Sequence, residues 1–118
     1  MAEGYQNHNE QFTLSVDTNY FTIDRKSCYM IDGTIKYITA RIRVDAIPSD
    51  TNATLCYWDS KYAFTNNTNG IVFPLFKSTS QWSATNSIIY GFLASNAILI
   101  HPVDISVGNY ITIQLIGQ

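Results

Sequence analysis

The sequence contains little charge, and this shortage narrows the partners that it can be expected to bind. Charged residues make up 14% of the 118 residues, whereas about a quarter is usual in globular proteins. The net charge is −2, and the seven Lys and Arg are scattered except for the pair Arg41 and Arg43. Phosphate backbones need a basic stripe, so we predict no nucleic-acid partner. Neutral Asn, Thr and Ser supply the polar surface, which suits contact with carbohydrate or a sister subunit.

Residues that carry catalysis or bind metals are also scarce. His8 lies in a polar N-terminal stretch, and His101 stands alone at the end of an apolar run. The carboxylates occur singly, mostly at turns, where Asp bonds nearby backbone amides. There is no cluster with zinc-ligand spacing, no Gly-x-Ser-x-Gly elbow and no phosphate-binding glycine loop. We therefore predict a protein that is not an enzyme, with no catalytic residues, no metal site and no cofactor.

Two cysteines are too few for a disulfide framework. Cys28 and Cys56 each lie inside an apolar run, which favours buried free thiols that pack as small hydrophobic side chains. A bridge between them is the alternative.

Long apolar runs are absent as well. A membrane helix needs about 20 apolar residues, so we predict no membrane partner. Residues 1–10 lack the basic-then-apolar layout of a signal peptide. We assign residues 1–11 to a flexible lead, in which residues 2–4 are typical of an expression scar, and residues 12–118 to one domain.

What the chain does contain is a series of short β-branched and aromatic runs separated by turn residues. This layout predicts an all-β protein, an antiparallel β-sandwich of jelly-roll type with eight or nine strands. The clearest strand follows the turn pair at residues 32–33 and covers residues 34–46, with Ile38, Ile42 and Val44 on one face and Arg41 and Arg43 on the other.

Two positions further along carry specific backbone expectations. Pro74 interrupts the apolar run 71–76, and since proline cannot donate to a ladder, we expect an edge, a bulge or a strand junction there. In the polar loop before it, a positive φ is expected at Asn69 or Gly70.

Aromatic residues make up 14% of the chain and divide into two groups. Those in alternating apolar runs are expected in the core: Phe12, Phe21, Phe73 and Phe92. The candidate ligand-binding residues are Trp82, Trp58, Tyr57, Tyr62 and Tyr90. Tyr57 and Trp58 are adjacent, so on a strand they point to opposite faces. Trp82 lies in a Ser/Thr/Asn loop, where it can stack on a sugar, plug one end of the sandwich or enter a subunit interface.

The layout over residues 20–118 resembles the C-terminal domains of bacteriophage and prophage tail or baseplate proteins of the receptor-binding type. The similar features are the Asp32-Gly33 turn into the long strand 35–46, the proline-containing segment 71–76, the segment 89–93 and the closing segment 108–113. The resemblance implies a compact, often jelly-roll-like β-sandwich, a homo-oligomer that is usually a trimer, and a place in the virion after assembly in the bacterial cytoplasm. It implies host cell-surface carbohydrate or a neighbouring phage structural protein as the partner.

Two other functions fit the same sequence. One is a monomeric carbohydrate-binding module that uses the aromatic residues as its platform. The other is a small hydrolase of cell-wall polysaccharide with an inconspicuous carboxylate pair.

Overall fold

The computed structural model describes residues 9–65, 68–82 and 86–118, without the side chain of Asn86. Nine antiparallel strands in this part of the chain form one curled sheet in the order β1-β3-β4-β9-β6-β7-β8-β5-β2. The strands are β1 (Asn9–Gln11), β2 (Leu14–Ser15), β3 (Phe21–Ile31), β4 (Ile35–Val44), β5 (Ala53–Trp58), β6 (Val72–Ser78), β7 (Asn86–Leu93), β8 (Ala97–Ile100) and β9 (Tyr110–Gly117). The all-β prediction is confirmed, and helix is limited to two 3-10 turns among the described residues, Ser60–Tyr62 and Pro102–Asp104.

The sheet curls because its two end strands are consecutive in the chain. Gln11 pairs with Tyr29 at one end of the sheet, and Leu14 pairs with Trp58 at the other. The backbone N–H of Phe12 also donates to the carbonyl of Cys28 at 3.1 Å. The N-terminal segment therefore contacts both ends of the sheet, and residues 9–11, expected in the flexible lead, form an edge strand instead. Residues 1–8 lie outside the described part of the chain.

The strand pattern expected from the sequence holds best around the first hairpin. Asp32 and Gly33 both have positive φ (51° and 76°), and Thr34 N–H donates to the carbonyl of Ile31 across the turn. β4 alternates as predicted, with Ile38 and Ile42 fully buried. β3 is one strand of 11 residues, with a register shift at Asp24 that accommodates an extra residue.

The two expectations for the segment before β7 also agree with the structure. Gly70 adopts a φ of 87° in the turn that precedes β6. Pro74 lies on the part of β6 that pairs with β7 alone, because pairing with β9 begins only at Phe76. Its missing N–H therefore costs no ladder bond on the β9 side.

The core fills the inside of the curl with one cluster of buried side chains from all the longer strands. Its largest fully buried members are Phe21, Leu14, Ile38, Ile42, Leu55, Leu75, Leu93, Ile98, Ile111 and Ile113. Cys28 and Cys56 are free thiols buried in this cluster, as predicted. Burial raises the pKa of the Cys28 thiol to about 11 and raises that of Cys56 as well.

A buried lysine anchors the last residues to the rest of the sheet. Lys36 Nζ donates to the carbonyls of Thr34 (2.9 Å) and Gln118 (2.6 Å), and it lies 5.8 Å from the centre of the Phe64 ring. The backbone N–H and hydroxyl of Thr65 donate to the same Gln118 carbonyl. Burial lowers the pKa of Lys36, because the charged form loses hydration there.

Candidate functional site

The outer surface of the sheet is divided into a polar half and an apolar half. The polar half covers β3, β4 and β9, apart from Ile116 of β9, which is 61% exposed. There Arg41 Nε donates to Asp24 Oδ2 at 2.6 Å, and its guanidinium lies 5.4 Å from the centre of the Tyr110 ring. Asp45 accepts from the Thr22 hydroxyl and from Arg43, and these two hydrogen bonds hold the pKa of its carboxyl below the ordinary value.

The apolar half lies on β6 and β7, where three cross-strand pairs point outward. The pairs are Val72 with Phe92, Pro74 with Tyr90, and Phe76 with Ile88. We call these six residues the apolar face. Five of them retain between 38% and 66% of their surface exposed, and Pro74 is exposed as well. None of the six carries a charge, so water meets a continuous apolar surface there.

The prediction that Phe92 lies in the core is wrong, because its side chain points outward and is 41% exposed. The cause is Gly91, which occupies the inward position between Ile89 and Leu93 on β7. An added Cβ at Gly91 would lie 2.9 Å from Leu75 Cδ1. The inside is thus already filled at this level by neighbouring side chains, and alternation turns Tyr90 and Phe92 to the outer surface.

A groove adjoins the apolar face where β7 separates from β8. These strands pair only at Phe92 with Leu99 and at Leu93 with Ile98, and the space beyond the last pair has a volume of about 340 Å³. We call it the outer groove. Its lining side chains are mainly apolar and include two polar ones: Val72, Tyr90, Phe92, Leu99, Asn52 and His101.

A second groove lies at the end of the sheet where β2 meets β5, and we call it the end groove. It has a volume of about 590 Å³ and combines aromatic and polar side chains: Phe12, Tyr57, Tyr62, Gln11, Ser15, Asp59 and Lys61. Tyr62 stacks on Phe12 with ring centres 4.6 Å apart. Asp59 accepts the backbone N–H of Lys61, whose ammonium group pairs with Glu10 at 3.2 Å.

The five aromatic residues proposed from the sequence do not form one site. Tyr57, Trp58 and Tyr62 all line the end groove, whereas Tyr90 belongs to the apolar face and the outer groove. Tyr57 and Trp58 do point to opposite faces, with 45% and 2% of their surfaces exposed. Trp58 is a core residue whose indole N–H donates to the carbonyl of Tyr62 at 2.9 Å, so its ring is not open to a ligand.

Trp82 is the most exposed of the five. It lies in the turn after β6 and retains 87% of its surface exposed. This excludes the role of a plug at one end of the sheet and leaves stacking on a ligand or contact with another chain.

Sequence reasoning missed the apolar face as a unit, although a signal for it was present. Segments 71–76 and 88–93 are apolar at both inward and outward positions. Strands of this kind are typical of sheets that are covered on both faces.

No group of three or more His, Cys, Asp or Glu among residues 9–65, 68–82 and 86–118 is placed to hold a metal ion. In the same part of the chain, no helix is long and apolar enough to cross a membrane. The chain gave no match to family models, to curated proteins or to solved structures.

Proposed function

We propose that this protein is a non-enzymatic structural and adhesion domain that assembles with copies of itself through the apolar face. The observation that carries the proposal is the row of three outward apolar pairs on β6 and β7. Exposed patches on monomers seldom exceed about 300–600 Å² and are often functional at that size. With about 150–250 Å² for a fully exposed aromatic side chain and less for an aliphatic one, the apolar face presents about 500 Å².

The division of the outer surface supports the same assignment. Interfaces are depleted of charge at their centre and enriched in aromatic residues. The apolar face has this composition, whereas the polar half carries the ion pairs of Asp24 with Arg41 and of Asp45 with Arg43. The polar half therefore suits solvent, and the apolar face suits a partner.

The engagement of the carboxylates supports a role without catalysis. Asp24 and Asp45 are paired with arginines, Asp59 accepts the Lys61 N–H, and Asp17 accepts the Asn19 N–H at 3.0 Å. Each of these carboxylates therefore stabilises a turn or a strand pair. The hydrogen bonds to Asp45 lower its pKa, whereas a general acid or base needs a pKa near neutrality.

The proposal also covers how the curled sheet is packed and the particle to which the protein belongs. We propose that the curled sheet is a jelly-roll-like sandwich, since the N-terminal segment pairs with both ends of the sheet. The resemblance in layout to phage tail and baseplate domains supports a trimer in a virion, in contact with host-surface saccharide or a neighbouring virion protein. Tail genes beside its gene would support this setting, and a neighbourhood without any phage gene would argue against it.

Sedimentation of two matched variants tests assembly through the apolar face. Ile88→Lys places a charge within the apolar face, and Gln114→Lys places the same charge at an exposed position on β9 in the polar half. We expect Ile88→Lys to sediment as a monomer and Gln114→Lys to associate like the wild type, because an unpaired buried charge is costly. Equal association of all three proteins would reject the apolar face as the interface.

Saccharide binding at the end groove is the second candidate function. The end groove brings an exposed tyrosine together with amide, hydroxyl, carboxylate and ammonium groups, which together can stack on a sugar ring and hydrogen-bond its hydroxyls. Its volume of about 590 Å³ lies within the usual range of ligand sites. On a glycan array, Tyr57→Ala should lose the binding that wild type and Trp82→Ala retain. A wild-type protein that binds no glycan, or a Tyr57→Ala protein that binds normally, would reject this candidate.

A further inference from the structure

Trp82 and the outer groove lie at opposite ends of the same pair of strands. Trp82 follows the end of β6 at Ser78, whereas the outer groove begins at Val72, where β6 starts. Six residues of strand span about 20 Å, which is more than a tryptophan side chain can bridge. The indole of Trp82 does not line the outer groove of its own chain, and 87% of the residue's surface is exposed.

The two features match each other in chemistry and size. The indole of Trp82 is a large apolar group, 87% of the residue's surface being exposed. The outer groove offers about 340 Å³ lined by Val72, Tyr90, Phe92 and Leu99. A buried indole N–H needs a hydrogen-bond acceptor. His101 and Asn52, which also line the groove, are polar side chains that can supply one.

We infer that Trp82 of one copy of the chain docks into the outer groove of a second copy. This inference rests on the proposed self-assembly and names the residue that anchors it. Trp82 adds about 200 Å² of apolar surface to the apolar face. The combined surface of about 700 Å² per copy approaches the roughly 800 Å² per partner of a stable interface.

The arrangement also satisfies the symmetry of a closed assembly. Each copy donates one Trp82 and offers one outer groove. A two-fold axis that crosses the strands could pair each Trp82 with the other copy's groove, and a cyclic trimer would pass each Trp82 to the next copy. In both cases every Trp82 and every outer groove is used.

Association and fluorescence measured together test the inference on the full chain. Trp82→Ala should weaken self-association by about 10- to 100-fold, as expected of a central aromatic anchor. Leu99→Ala, which opens the groove, should weaken it less, and in the double variant the two effects should not add. Tyr57→Ala removes an aromatic residue from the end groove and should leave association unchanged.

Tryptophan emission separates this inference from the proposed assembly. On dilution of the wild type, emission should shift to longer wavelength as Trp82 becomes hydrated, and Trp82→Phe, which keeps only buried Trp58, should show no shift. A wild type that is monomeric at every concentration would reject the proposed assembly and this inference with it. A wild type that associates, with Trp82→Ala associating equally well and no emission shift on dilution, would reject the docking of Trp82 alone.

Discussion

Replacing Gly91 with alanine should destabilise the protein, because the inside of the sheet is full at that position. The added Cβ would lie 2.9 Å from Leu75 Cδ1 and 3.2 Å from both Ile98 Cγ2 and Phe73 Cζ. Overpacking of a filled core typically costs about 1–3 kcal/mol. Gly→Ala also restricts the unfolded chain, which offsets about 0.4–1 kcal/mol of that cost. We expect a net loss of about 1 kcal/mol in the free energy of unfolding, from the difference between these two effects.

Urea denaturation at a fixed protein concentration measures this loss. With a slope of about 2 kcal/mol per molar urea, the midpoint should fall by about 0.5 M. Leu75→Val removes the δ-methyl group nearest to the new Cβ, so Gly91→Ala should cost at least about 0.5 kcal/mol less in that background. A Gly91→Ala protein as stable as the wild type, or an unchanged cost of Gly91→Ala in the Leu75→Val background, would refute the account of why Tyr90 and Phe92 face outward.

Three further predictions concern polar and reactive groups in the sheet. Cys28 and Cys56 should resist alkylation at pH 8 in the folded protein and both react in denaturant, since burial raises their pKa values; rapid labelling of the native protein would contradict this. Because the pKa of Lys36 is lowered in the folded state, the unfolded state binds more protons just below pH 10.5. The free energy of unfolding of the wild type should therefore rise relative to that of Lys36→Met as the pH rises toward 10.5. A difference between the two proteins that does not change with pH would contradict this prediction. Thr39 Oγ1 is buried without a hydrogen-bond partner among the described residues, so Thr39→Val should raise the free energy of unfolding or leave it unchanged. A fall of more than about 1 kcal/mol in that free energy would show that the hydroxyl has a partner.

Much of the fold follows from local patterns in the sequence. The Asp32-Gly33 turn and the alternation of β4 are properties of neighbouring residues, because turn conformation and strand period are fixed locally. The register shift of β3 at Asp24 was not predictable, since it depends on the pairing of β3 with β4. The edge strand Asn9–Gln11 depends in the same way on a distant partner, Tyr29–Ile31 of β3.

The residues of the candidate site were harder to predict from the sequence, because the sequence does not show whether an aromatic side chain lies in the core or on the surface. Trp58 and Phe92 exchange the places expected of them: Trp58 is buried and Phe92 is exposed. Alternation separates Tyr57 from Trp58 but does not say which of the two points inward. For Phe92, the deciding residue is Gly91, whose inward position becomes evident only when Phe73 and Leu75 of the neighbouring strand are in place.

Sedimentation equilibrium of the wild-type chain over a range of concentrations tests the central claim, self-assembly, most directly. We expect the mass to rise with concentration from 13.3 kDa to a whole multiple of that value, three times as large for the proposed trimer. A mass that stays at 13.3 kDa up to high micromolar concentrations would contradict it.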